Sequence, residues 1–363
     1  MDQALQSLLD RVAHAAAHAT PLRIRGSGSK DFYAQALHGE VLDTSTLSGI
    51  VSYEPSELVV TVRAGTPLAE LEALLATQNQ CLPFEPPRFQ GEGQAGGTVG
   101  GMVATGLSGP ARASAGAVRD FMLGATLING RAELLSFGGT VMKNVAGYDV
   151  SRLMCGALGT LGLLTEVNLK VLPFAPAEAT LRFAMPQAEA LRQLNLWGGQ
   201  PLPLNASCWL DGTLWLRLRG AVAAVQAACA SMGGTRVAPD DFDWHTCRDQ
   251  RHPWFAPRAG LDLWRLSVPQ TAPVLDLPYA QLIEWHGGQR WLWAPPEAAS
   301  GLRQAAQAVA GNATLFIASC ARTPGARALF DALKPPLDRL HANLKQQFDP
   351  AGIFNPGRLS ADF

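Results

Sequence analysis

Gly96-Gly97-Thr98-Val99-Gly100-Gly101-Met102-Val103-Ala104-Thr105-Gly106 holds a single side chain larger than valine in eleven positions. A flexible linker would be richer in serine and charge. A run this small lets backbone come close to a large flat or extended ligand. Two further glycine strings extend the argument. Arg25-Gly26-Ser27-Gly28-Ser29-Lys30 follows a short β-like segment, Leu22-Arg23-Ile24-Arg25, so it is either a simple turn between strands or a nest of successive N–H groups for a diphosphate, with Arg25 or Lys30 adding charge. Gly156-Ala157-Leu158-Gly159-Thr160-Leu161-Gly162 runs into the strand-like Leu163–Val171 and offers another surface for close approach. Three such surfaces in one half of the chain argue for a big ligand with a diphosphate and a ring system.

The composition sets the frame. The chain has 363 residues, 47% hydrophobic and 16% charged, so it can build a packed core and is too poor in charge to be disordered. Lys and Arg number 29 against 30 Asp and Glu, a net charge of -1, which leaves no electrostatic footprint for nucleic acid or an anionic membrane. An anionic ligand must be held locally. The six cysteines (81, 155, 208, 229, 247, 320) contain no CxxC pair, which speaks against an internal iron–sulfur cluster or zinc knuckle and fits a reducing, cytoplasmic compartment. The N-terminal stretch carries Asp2 and Arg11 and reads as an amphipathic helix, neither signal peptide nor membrane span.

Along the chain, Val41–Asp43 and Glu57–Val62 are strand-like, and Thr66-Pro67 opens a helix with Thr as N-cap and Leu68, Leu71, Leu74 and Leu75 behind it. Periodicity is lost from 91 to 116. It returns at Met122–Ile128, which the turn Asn129-Gly130 joins to a partner at Ala132–Phe137. Pro173 and Pro176 flank Phe174, and the pattern changes there: eight of nine tryptophans lie beyond position 200, and Asp211-Gly212 reads as a type I′ turn between two alternating strands. A helix over Ala221–Met232, a strand near Leu261–Val268, a hairpin across Gly287-Gly288, a helix from about Pro296 to Ala310 and a strand at Thr314–Ala318 continue an antiparallel α+β pattern.

Several familiar motifs fail on context. Gly91-Glu92-Gly93-Gln94-Ala95-Gly96 matches GxGxxG, but Pro86-Pro87-Arg88 precedes it where a dinucleotide fold needs a hydrophobic strand. No Walker loop and no GxSxG elbow occurs. His14 and His18 stand at helical i,i+4 spacing without an HExxH context and read as an exposed face; His245 and His252, in a polar, Trp-rich stretch, could face a cleft between domains, but each reads rather as a surface or satisfied histidine than as a catalytic base. No metal ligands are assigned.

Taken in order, these residues resemble the FAD-binding domain of the vanillyl-alcohol-oxidase/p-cresol-methylhydroxylase (PCMH) flavoprotein superfamily, over about 20–173 and 345–359. The resemblance implies that Arg25, Gly26, Ser27, Gly28, Ser29 and Lys30 grip the FAD diphosphate. It further implies that Gly97, Thr98, Val99, Gly100, Gly101, Thr105, Gly106, Ser108 and Gly109 form the small-residue flavin loop, followed by the pair Arg119-Asp120. Gly159, Thr160 and Gly162 match a strand entry beside the flavin, and Asn355, in Phe348-Asp349-Pro350 through Asn355-Pro356-Gly357, matches the family's terminal tail. Ser29-Lys30 stands where some members carry a flavin-linking histidine, which implies non-covalent FAD.

More narrowly, Met142-Lys143-Asn144-Val145-Ala146-Gly147-Tyr148-Asp149 with Arg152-Leu153, together with the short cap, resembles the bacterial glycolate oxidase FAD-binding (E) subunits. Those work with a larger FAD-containing subunit and an iron–sulfur subunit on a small 2-hydroxy acid. The expected fold is α+β: a two-subdomain PCMH-type FAD domain (1–174), a smaller antiparallel α+β cap (175–344) and a tail (345–363) returning to the FAD domain. The expected function is oxidation of glycolate to glyoxylate with electrons passed to the iron–sulfur partner; membrane contact, if any, is made at the inner membrane through partner subunits. Lys143 or Arg119 is expected to stabilise reduced flavin. The histidine-rich motif of the larger 2-hydroxy-acid flavoproteins is absent, since Gly311-Asn312-Ala313 has no nearby histidine. Other readings stay open: an assembly subunit whose FAD relays electrons or is vestigial, a stand-alone alcohol oxidase, or a nucleotide-sugar reductase on the same fold.

Overall fold

The computed structural model describes residues 2–35, 37–89, 96–140, 149–319 and 328–360. All of the GxGxxG string but Gly96, and most of the Met142–Asp149 motif, Lys143 included, lie outside the described residues.

The helix Gln3–His18 is capped by Asp2, whose carboxylate accepts from Ala4 N, and buries Leu8, Val12 and Ala15. That apolar stripe packs on Leu22, Leu42, Ile128, Leu163 and Phe354. Strand Leu22–Arg25 pairs in parallel with Glu40–Asp43. Next to this pair stands a five-stranded antiparallel sheet in the order Ile50–Glu54, Val59–Arg63, Leu163–Lys170, Met122–Ile128, Leu134–Gly138. Helix Leu68–Thr77 covers it through Leu68, Leu71 and Leu75. Thr66 does not cap that helix as expected: Pro67 takes the cap position, and the Thr66 hydroxyl instead accepts from Gly49 N at 2.9 Å.

The loop between Ile128 and Leu134 has five residues, not a tight Asn-Gly turn. Asn129 Oδ1 accepts from both Arg131 N and Glu133 N, and Ala132 takes the left-handed conformation. Gly130 is needed for another reason: a Cβ there would stand 2.5 Å from Asp349 Oδ1. By contrast Asp211 and Gly212 both have positive φ and join Leu210 to Thr213 directly, the two-residue turn expected of Asp-Gly.

Residues 177–317 build an eight-stranded antiparallel sheet ordered Thr235–Val237, Ala177–Ala184, Thr213–Gly220, Leu204–Leu210, Gln281–Glu284, Gln289–Ala294, Asp262–Ser267, Asn312–Ile317. Helices Gln187–Gly198 and Val222–Met232 pack on one part of it and Ala299–Ala308 on another. A further cluster joins Cys208, Trp291, Trp293 and Phe316 to Tyr33, Leu107 and Leu158 from the first half of the chain.

Two polar devices hold these layers together. Glu85 accepts both carboxylate bonds from Arg217 Nη2 at 2.7 Å, a third from Arg219 at 3.1 Å, and one from Ala111 N. At the other end, helix Leu337–Phe348 buries Lys345, whose ammonium donates to Asp349 (2.7 Å) and to the carbonyls of Thr160 and Phe354 (2.9 Å each). Asp349 in turn accepts from Ile353 N and Phe354 N, and Asn355 N donates to Leu22 O. The last turn-rich segment is thereby stitched beside strand Leu22–Arg25.

Burial pushes the Glu85 carboxyl upward, but Arg217 and Arg219 outweigh it and hold the group below the usual glutamate range. A carboxyl with a depressed folded pKa contributes its full stability above its unfolded value, about pH 4.3, and loses it as pH falls through the folded value. Glu85→Ala leaves Arg217 buried and unpaired, so urea unfolding at neutral pH is expected to show a loss of about 3–5 kcal/mol, with the deficit shrinking as the acid limb is approached. An unchanged urea midpoint would refute the latch.

Candidate functional site

The three glycine strings converge. An open cleft is walled by Ile24–Asp31, by Thr98, Gly100, Gly101 and Thr105, by the 157–164 segment, and by Asn355 and Arg358. Of the predicted residues, Arg25, Gly26, Ser27, Gly28, Ser29, Lys30, Thr98, Gly100, Gly101, Thr105, Gly159, Gly162 and Asn355 line it.

The walls are set by contacts that admit no extra carbon. A Cβ on Gly26 would lie 2.5 Å from Thr98 Oγ1; one on Gly97, at φ +83, would lie 2.8 Å from Ser29 Oγ and 2.9 Å from Lys30 Nζ. On Gly159, at φ +73, it would lie 2.7 Å from Asn355 Nδ2. The Gly96–Gly106 run, without visible periodicity, is a helix over Val99–Thr105, with Thr98 as N-cap accepting from Gly101 N and Gly106 left-handed at its end. Its glycines are there for contact: a Cβ on Gly100 would meet Ala64 Cβ at 2.8 Å, and Gly100 N donates to Ala64 O at 2.7 Å.

Other predicted residues serve the scaffold. Val99 is fully buried in the core of the first sheet. Thr160 is fully buried, its hydroxyl donating to Ala157 O and its carbonyl receiving Lys345. Gly97 O accepts from Leu68 N, and Gly106 packs against Gly156. Ser108 and Gly109 face a different, smaller cavity. Arg119 is outside the cleft, with 67% of its side chain exposed.

Electrostatically, the first loop's two cations in the cleft, Arg25 and Lys30, differ. Arg25 is engaged, its Nε donating to Asp31 Oδ2 at 2.9 Å, where Arg23 also binds. Lys30 is only 9% exposed, and its ammonium has no hydrogen-bond partner. Burial lowers its pKa to about 8. The aromatic ring of Phe89 lies 5.9 Å from Nζ. A buried, unpartnered ammonium beside glycines whose missing Cβ atoms leave a slot fits an extended anion such as a diphosphate.

Sequence reading missed Arg358, whose guanidinium donates to the carbonyls of Gln35 and Lys30 and so fixes the first loop from the tail side. Its only sequence signal is its place just after Asn355-Pro356-Gly357. Asn355 bridges the same seam: Oδ1 accepts from Ile24 N (2.8 Å) and Nδ2 donates to Leu158 O (2.6 Å). Among the described residues no group of three or more His, Cys, Asp or Glu could hold a metal ion.

A family model described as "FAD binding domain" matches residues 4–138. Glycolate oxidase subunit GlcE of Escherichia coli K12 is 46% identical over 357 residues, covering 98% of this chain and 97% of that protein. Glycolate oxidase subunit GlcD of Bacillus subtilis is 29% identical over 166 residues, 45% of this chain and 34% of the relative, and a D-lactate dehydrogenase of Anaerostipes hadrus is 33% identical over 135 residues, 37% and 27%. Among solved structures, an alkyldihydroxyacetonephosphate synthase superposes with a TM-score of 0.66 at 14% identity, covering 97% of this chain and 74% of that one, a likeness of fold.

Diphosphate binding is measured with ADP as probe. Lys30→Met is expected to weaken ADP about 10- to 150-fold, the worth of one charge-assisted hydrogen bond of about 1.5–3 kcal/mol, whereas Arg25→Ala, whose guanidinium is held by Asp31, weakens it only a few-fold. In the wild type the affinity stays level below about pH 8 and declines above it, because binding must then take up a proton at Lys30. Equal losses in the two variants would show that the charge assignment is wrong. Gly97→Ala, strained at φ +83 and driven into Ser29 and Lys30, is expected to abolish binding while leaving the far-ultraviolet circular dichroism unchanged.

Proposed function

Because the chain belongs to the family of glycolate oxidase GlcE subunits, we propose that it is an FAD-binding subunit of a complex oxidising glycolate to glyoxylate, with electrons leaving through an iron–sulfur partner. The carrying observation is the cleft itself, with Lys30 as its unpartnered cation and glycine at each point where a Cβ would block it.

In this reading Lys30, the backbone of Gly26–Ser29 and the Gly97–Gly101 segment hold the diphosphate of FAD. Ala157, Leu158 and Leu161 supply an apolar wall, and Asn355 and Arg358 lock the first loop against the tail. Bound FAD would supply two-electron redox chemistry; the protein's part is position, exclusion of water and charge. Binding is non-covalent, since Ser29 and Lys30 occupy the loop position where a histidine would be attached. Residues 1–174 with the tail 345–363 are the flavin unit, and 175–344 the cap. The iron–sulfur assignment rests on the cysteines, no two of which stand closer than 18 residues in sequence. No helix among the described residues is long and apolar enough to cross a membrane.

The purified chain is expected to show the absorbance of oxidised flavin, released into the supernatant by acid. Glycolate-dependent reduction of an artificial acceptor is expected from the co-purified complex and not from the isolated chain. A colourless protein that cannot be reconstituted with FAD would sink the reading, and full turnover by the isolated chain would replace the subunit role with a self-sufficient enzyme.

A further inference from the structure

Lys345 is a buried cation that does not face the cleft. It is 6% exposed and is not among the cleft-lining residues, and its carboxylate partner Asp349 is 1% exposed. An ammonium has three N–H donors, and here all three are engaged: with Asp349 Oδ2 at 2.7 Å and with the carbonyl oxygens of Thr160 and Phe354 at 2.9 Å each. Two carbonyls and a carboxylate converging on one point suit a compact ammonium and not the flat fork of a guanidinium. Desolvating such an ion pair is costly, and apolar residues of similar volume often hold a fold equally well. A buried Lys–Asp pair is therefore a poor way merely to anchor a helix, and what it holds in place deserves the explanation.

Both carbonyls belong to residues that adjoin the cleft lining. Thr160 stands between Gly159 and Leu161, and Phe354 precedes Asn355; Gly159, Leu161 and Asn355 all line the cleft. The two segments meet closely there: a Cβ on Gly159 would lie 2.7 Å from Asn355 Nδ2, and that nitrogen donates to Leu158 O at 2.6 Å. Asp349 fixes the tail's half of the register, its oxygens accepting from Ile353 N at 3.1 Å and Phe354 N at 2.7 Å. From the same tail Asn355 Oδ1 accepts from Ile24 N, and Arg358 donates to Lys30 O at 3.2 Å. A spacing set at Lys345 is thus carried both to the 157–164 wall and to the first loop.

We propose that Lys345 is a positioning residue for the cofactor: through Thr160 O and Phe354 O it sets the separation of the Gly159–Gly162 wall from the tail, and so couples docking of the tail to binding of FAD. The coupling is reciprocal by thermodynamic linkage, so that whatever seats the tail tightens FAD, and bound FAD holds the tail in its seat. The inference rests on the reading of the cleft as the FAD site. No contact with the ligand and no proton transfer is assigned to Lys345, whose donors are all taken.

Calorimetric titration of the full chain, freed of flavin, with FAD tests this under conditions where each variant is folded. Lys345→Met is expected to weaken FAD roughly 5- to 150-fold, the usual span of coupling between two sites, and Lys345→Arg is expected not to restore it. Glu85→Ala, destabilised at a latch that does not line the cleft, is the control and is expected to bind FAD as the wild type does. Hydrogen exchange gives a second readout in the unaltered chain: saturating FAD is expected to slow the amides of Ile353, Phe354 and Asn355 by roughly fivefold or more. Wild-type affinity in folded Lys345→Met, or a loss no larger than that of Glu85→Ala, would reduce Lys345 to a structural anchor and overturn the proposal, as would tail exchange that FAD leaves unchanged. If Lys345→Met does not fold, the exchange measurement on the wild type decides. A wild-type chain that takes up no FAD would instead count against the function proposed above.

Discussion

The cleft depends on a constraint of space: backbone segments from three distant parts of the chain must come close enough to hold a ligand between them, and no Cβ fits at Gly26, Gly97 or Gly159. Everything around the cleft maintains that approach. Strand Leu22–Arg25 carries the first loop, the Thr98-capped helix presents the second, and the Gly156–Gly162 turn enters the strand Leu163–Lys170. The tail closes the seam. Asn355 ties Ile24 to Leu158, and Lys345 ties Thr160 to Phe354, so the terminal segment positions two of the three walls at once.

This arrangement explains how a chain with a net charge of -1 can hold a polyanion. In the proposed reading the charge is supplied by one buried ammonium, Lys30, which has no hydrogen-bond partner, while the other cations of the cleft are engaged: Arg25 by Asp31 and Arg358 by loop carbonyls. An ammonium in that state is poised to gain most from a ligand, because its desolvation has already been met by the fold. The aromatic cluster of Tyr33, Phe89, Trp291 and Phe316 lies on the other side of the first loop, so the same loop borders both the cleft and the sheet of the second half.

Much of this was legible in the sequence because it is local. Glycine strings, the Asp211-Gly212 turn, the amphipathic first helix and the change of pattern near Phe174 all express themselves over a few residues. The helix Val99–Thr105 was hidden, since residues chosen for close approach to Ala64 carry no apolar period. Thr66 and Thr160 follow the motifs yet act as scaffold, their hydroxyls drawn to Gly49 and Ala157. Long-range partners left no trace at all: nothing near Glu85 announces Arg217, 132 residues away, and Arg358 looks like any arginine of a tail. Ser108 and Gly109, continuous in sequence with the flavin loop, turn away from the cleft because Gly109 N bonds to Phe84 O and Gly109 O to Trp285.

The most direct test of the central claim is an experimental structure of the full chain with FAD bound. The diphosphate is expected between the Arg25–Lys30 loop and the Gly97–Gly101 segment, with Lys30 Nζ within about 3.2 Å of a phosphate oxygen. A diphosphate bound elsewhere, or one that leaves Lys30 still unpartnered in its pocket, would contradict the account.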